Sequence, residues 1–73
     1  MEDWKIRLVE EHEQLLDRMG KLGAALKSEG FYEKVGPVQH FYMISQYTGM
    51  RTYLEALENR LEYLGIHKDL GIN

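Results

Sequence analysis

The stretch MISQYTGMRTYLEALENRLEYL, residues 43–64, decides the fold. Met43, Tyr47, Met50, Leu54, Leu57, Leu61 and Leu64 recur at alternating steps of four and three. That spacing is the apolar seam of a helix lying lengthwise against another helix. One position before each seam residue runs a second series with nearly the same spacing: Tyr42, Gln46, Gly49, Tyr53, Ala56, Arg60 and Tyr63. It therefore forms a stripe beside the seam, along the same helix. A glycine in a helix interior costs about 1 kcal/mol relative to alanine, so Gly49 implies that something comes close at that point. Tyrosine and arginine are enriched at interfaces and lysine is depleted, and this stripe has no lysine. Gly49, Ala56 and Tyr63 are accordingly expected at a contact between copies of the chain.

Upstream, Leu8, His12, Leu15, Met19, Leu22 and Leu26 show the same alternation, with Val9 and Leu16 widening the seam on one side. Glu2 and Asp3 place negative charge at the positive end of the helix dipole. A first helix is predicted over about residues 2–29, with Gly30 as its stop. A connection over about 30–36 follows, in which Phe31 plugs the open end of the hairpin. Gly36-Pro37 then starts a second helix over about 37–64, with proline tolerated at its first position. A short tail, 65–73, carries Leu70 and Ile72 and is expected either to fray or to dock on a neighbour. Two helices of similar length and a short connection give an all-α, antiparallel two-helix hairpin in one domain.

At 73 residues with no cysteine, such a hairpin has neither disulfides nor thiolate metal sites to steady it. His12, His40 and His67 are too scattered for a metal ligand set, so assembly into a homo-oligomeric helical bundle is the stabilising route left. The net charge of -3, with both signs mixed along the chain, argues against duplex nucleic acid as a partner. No apolar run approaches the ~20 residues of a membrane span, and MEDWKIRLVEE lacks the layout of a signal peptide, so a cytoplasmic location is expected.

Catalytic constellations are missing from the sequence: there is no HExxH, no phosphate loop and no located nucleophile with a base. Glu10 and Glu11, or Glu55 and Glu58, read as a solvated helix face. His12 sits on the seam, either as a polar residue that sets register or as a partner for a tyrosine hydroxyl. His40, near the start of the second helix, is placed either to bind an anion or to serve as a cap or surface residue. Binding is physically easier than catalysis. Tyrosine faces stack nucleobases for about 1–3 kcal/mol per base, arginine forks suit phosphate, and an amide can read a base edge. Tyr42, Gln46, Tyr53 and Arg60 on the stripe, Arg51 off its edge, and His40 are the candidate ligand-binding residues, with no cofactor and no metal expected.

The chain resembles a family of short phage-encoded helical hairpins catalogued after a crAss-like phage protein. In that family a charged first helix of the type RLVEEHEQLLDRMGKL is followed by a phenylalanine near the turn. A second helix then carries Gln, Met, Tyr, Leu and an Arg-Leu pair, matched here by Phe31, Gln46, Met50, Tyr53, Leu57, Arg60 and Leu61. Several compact phage proteins of this general build are anti-defence sponges. The resemblance implies a homo-oligomer that sequesters, without cleaving, the cyclic nucleotide messengers of bacterial immunity: cyclic di- or trinucleotides of CBASS, or ADP-ribose derivatives of Thoeris. The alternative is an oligomeric interaction module that docks a host or phage protein and binds no small molecule. A small hydrolase acting on a signalling nucleotide is a third reading.

Overall fold

A computed structural model describes residues 2–66. Two helices pack against each other as an antiparallel hairpin, α1 over Asp3–Lys27 and α2 over Phe31–Tyr63. The long axis extends 46 Å, against 21 and 17 Å across. The tail expected beyond Ile66, with Leu70 and Ile72 docking or fraying, lies outside the described residues.

The turn between the helices is shorter than the 30–36 connection expected. Ser28 closes α1 by donating its hydroxyl to the Ala25 carbonyl at 2.8 Å. Gly30 takes a left-handed conformation (φ 79°), and the chain is helical again from Phe31. FYEKV thus forms a helical turn of its own, joined to the rest of α2 across Gly36. There φ is 85° and ψ 163°, a backbone conformation essentially restricted to glycine. Pro37 follows as the first residue of the long straight segment, where its missing N–H is no loss.

The far end of α2 closes with a Schellman motif. The Gly65 N–H donates to the Glu62 carbonyl at 2.9 Å and the Ile66 N–H to that of Leu61 at 3.0 Å, with Gly65 left-handed. The motif folds Ile66 back onto Leu61, and both side chains are buried. Ile66 thereby joins Leu8, Leu15, Met19, Leu57 and Leu61 in the core, with Val9, Tyr47, Met50, Leu54 and Leu64 packed against it. The core is concentrated toward the end of the hairpin away from the turn. Leu22, Leu26 and Met43, nearer the turn, are only partly buried. Leu16, expected to widen the seam, is instead exposed, so only Val9 does so.

Two contacts fix the register of the hairpin. The His12 ring meets the Glu58 carboxylate, and Gly23 lies under the Tyr47 ring, where an added Cβ would sit 3.3 Å from Cε2. The step from His12 to Gly23 along α1 is matched by an equal step back from Glu58 to Tyr47 along α2. The close approach within the hairpin is therefore at Gly23. At Gly49 an added Cβ would meet nothing within 4 Å.

Candidate functional site

The heptad seam rotates α2 so that its whole outer stripe is left uncovered. Tyr42, Gln46, Gly49, Tyr53, Ala56, Arg60 and Tyr63 are all exposed, with Tyr63 at 91%. Val38, 64% exposed, continues the stripe toward the turn. At about 100° per residue, α2 divides into two unlike flanks on either side of the seam. One carries Arg51, Glu55, Glu58 and Glu62. The other runs from Val38 to Tyr63 with a single charge, Arg60, in a chain that is 29% charged.

The hydroxyls near this sparsely charged flank are turned inward. Ser45 donates to the Phe41 carbonyl at 3.2 Å, Thr48 to Ile44 at 3.0 Å and Thr52 to Thr48 at 3.3 Å. Side chains that bond their own helix in this way no longer require water for those donors. The surface they leave is polar in composition yet inexpensive to bury.

The terminal end of the stripe opens into a groove of about 420 Å³ lined by Trp4, Asn59, Arg60, Tyr63 and Leu64. Its volume falls within the range of about 300–1,000 Å³ common for small-molecule sites. Trp4 comes from the first turn of α1, where its indole N–H donates to the Glu2 carboxylate at 2.8 Å. The Lys5 ammonium stands 5.5 Å from the centre of the Trp4 ring. Arg60 makes no ion pair among the described residues. Two flat aromatic faces, a free guanidinium and a nearby ammonium thus meet at one place, a combination suited to a planar, negatively charged ligand. Neither Trp4 nor Asn59 was singled out from the sequence. Trp4 lies outside both heptad series and reaches the groove because the antiparallel register brings the start of α1 to the end of α2.

The other expected binding residues are not gathered in one place on a single chain. Arg51 and Arg60 are nine positions apart, about two and a half turns, so they leave α2 on opposite sides. Tyr42 lies five turns, about 27 Å, from Arg60. His40 is partly buried near the turn, edge-on to Tyr32 with ring centres 5.0 Å apart. Gln46 and Tyr53 lie on the exposed stripe between those two ends.

His12 is fully buried, and its Nε2 lies 3.0 Å from Glu58 Oε2. Of the two sequence readings, the tyrosine-hydroxyl partner is replaced by a carboxylate. Glu58, expected to be solvated, keeps only 31% of its side chain exposed. Among the described residues, no group of three or more histidine, aspartate or glutamate side chains is arranged to hold a metal ion. Among those residues, too, no helix is long and apolar enough to cross a membrane.

The model of the Sequestin family matches residues 2–63, which takes in all of α1 and α2. The chain belongs to the Sequestin family. No curated protein and no solved structure matches it significantly. The Sequestin match covers the first seam, the second seam as far as Leu61, the exposed stripe and four of the groove residues, Trp4, Asn59, Arg60 and Tyr63.

Proposed function

We propose that this chain is a phage anti-defence sponge, a homo-oligomer that binds cyclic nucleotide immune messengers in the cytoplasm of the infected bacterium and withholds them without cleaving them. The groove carries the reading. Trp4 and Tyr63 offer faces for a base, and Arg60 supplies a guanidinium for phosphate that no carboxylate among the described residues engages. The family name, Sequestin, agrees with sequestration, and sequestration requires affinity and copy number but no catalytic group. The ligand class is the cyclic di- and trinucleotides of CBASS or the ADP-ribose derivatives of Thoeris.

Arg60 and Arg51 hold phosphate, on different faces of the assembly. Tyr53 and Tyr42 stack or hydrogen-bond, Gln46 reads a base edge or locks neighbouring subunits, and His40 is held at the turn end beside Tyr32.

Titration calorimetry of the purified protein against cyclic di- and trinucleotides and cyclic ADP-ribose isomers tests this. Saturable heat with one of them, and recovery of that ligand intact after denaturation, is the expected result. No heat with any of them overturns the reading, and recovery of a hydrolysed product makes the protein an enzyme. If no ligand binds and one protein partner is captured in stoichiometric amount, the sparsely charged stripe is a protein-docking face instead.

A further inference from the structure

The steps along the stripe of α2 from Tyr42 to Arg60, four-three-four-three-four, run the same in both directions. Tyr42 and Arg60, Gln46 and Ala56, and Gly49 and Tyr53 are placed symmetrically about position 51, near the midpoint of the straight segment that starts at Pro37 and ends at the Leu64 cap. We propose that a second copy of this chain docks on the stripe, α2 against α2 and antiparallel, with its two-fold axis passing beside position 51. An interface of this kind is self-complementary, each residue i meeting j while j meets i.

In that register the three layers from Tyr42 to Arg60 are matched in size or by attraction of a cation to a ring face. Gly49 receives the partner's Tyr53, which accounts for a glycine in mid-helix with open space above it. Ala56 receives the partner's Gln46. Arg60 receives the partner's Tyr42, whose ring face attracts a guanidinium. A parallel pairing sets like against like: Gly49 on Gly49 leaves a void, Tyr53 on Tyr53 crowds, and Arg60 on Arg60 repels. The inward-turned hydroxyls of Ser45 and Thr52 and the lack of acidic groups on this flank remove the usual obstacles to burial. Because the axis is near the middle of the straight segment, the two helices overlap along nearly its full length.

The pairing also finishes the groove. In one chain it is open beside Arg60; in the dimer the partner's Tyr42 stands there as a further wall. Each ligand site then draws on two chains, and the two equivalent sites lie about 27 Å apart along the helices. This deepens the proposed function and rests on it only for the ligand; the pairing itself does not require one.

The chain has no cysteine, which makes disulfide mapping clean. Gln46→Cys and Ala56→Cys are prepared separately, with circular dichroism to confirm that each folds, then oxidised mildly alone and as an equilibrated mixture. The expected result is a linked dimer in the mixture and in neither variant alone. A linked dimer from Ala56→Cys alone, which requires like residues to meet, overturns the antiparallel register. No link in any sample, with both variants folded, overturns the pairing. No nucleotide enters this experiment, so its failure is distinct from a failure to bind ligand in calorimetry.

Discussion

His12, buried to 0% exposure on α1, reaches the Glu58 carboxylate of α2 at 3.0 Å and leaves its own Nδ1 without a partner. A carboxylate accepts, so Nε2 carries the shared proton. In the neutral ring Nδ1 is then a lone pair, whose burial is less costly than that of an N–H. The pair sets register at the well-packed end of a hairpin whose other seam contacts there are apolar and tolerant of sliding.

The ring fills core volume as well as making this bond, and the two roles can be separated. His12→Ala removes both and is expected to cost about 2–3 kcal/mol. His12→Leu keeps most of the volume and frees Glu58 to turn toward water, so its cost is expected to stay under about 1 kcal/mol. Urea unfolding at a fixed protein concentration measures the difference. Equal losses in the two variants refute the importance of volume and make the polar contact dominant.

Gly20 and Gly23 lie one turn apart on α1 in different surroundings. An added Cβ meets nothing within 4 Å at Gly20, whereas at Gly23 it comes 3.3 Å from the Tyr47 ring. Gly20→Ala should stabilise the protein by about 1 kcal/mol through helix propensity alone. Gly23→Ala should gain clearly less, because Tyr47 has to shift by a few tenths of an ångström. Identical rises in Tm contradict the Tyr47 contact.

Gly36 carries the bend between the FYEKV turn and the straight part of α2 at φ 85° and ψ 163°. A side chain there is strained whatever space surrounds it, and Gly36→Ala is expected to cost about 1–3 kcal/mol. A neutral result in thermal unfolding means that the bend relaxes into a continuous helix or straightens in solution.

Gly49→Ala is expected to act in opposite directions on the hairpin and on its assembly. Within one chain the new methyl meets nothing, so the isolated hairpin gains about 1 kcal/mol. Across the proposed two-fold it enters the space of the partner's Tyr53, and self-association should weaken by about tenfold, or about 1.4 kcal/mol. Sedimentation equilibrium reads the second effect and dilute-solution melting the first. Unchanged association rules out Gly49 as the point of closest approach.

Seams and stripe were legible because a helix converts spacing into direction. Leu57, Leu61, Leu8 and Leu15 are buried where the four-three steps place them, and Tyr42 to Tyr63 are exposed beside them. Contacts that depend on how one helix is rotated and offset against the other were not legible. Glu58 follows a seam leucine and resembles any surface glutamate until α1 brings His12 to it. Trp4 and Tyr63 come to line one groove through the same offset, and Leu16 is lost to solvent by the rotation. FYEKV reads as a connection in the sequence because it lies between two glycines, and five residues show too little periodicity to separate a helical turn from a loop.

If Trp4 and Tyr63 hold a base and Arg60 a phosphate, each truncation should weaken ligand binding without unfolding the hairpin, because all three side chains are exposed and outside the core. Trp4→Ala should lose about 1–3 kcal/mol of binding energy, the range for removing one stacking face. Arg60→Ala should lose about 1.5–3 kcal/mol, the range for a hydrogen bond to a charged group. Glu55→Ala, on the charged flank away from the stripe, serves as control and should bind as the parent does. The Arg60 effect should shrink at high salt more than the Trp4 effect, since screening acts on the guanidinium and phosphate and not on the stacked ring. Calorimetry of the three variants at two ionic strengths reads all of this. Binding that survives both Trp4→Ala and Arg60→Ala moves the ligand away from this end of the hairpin.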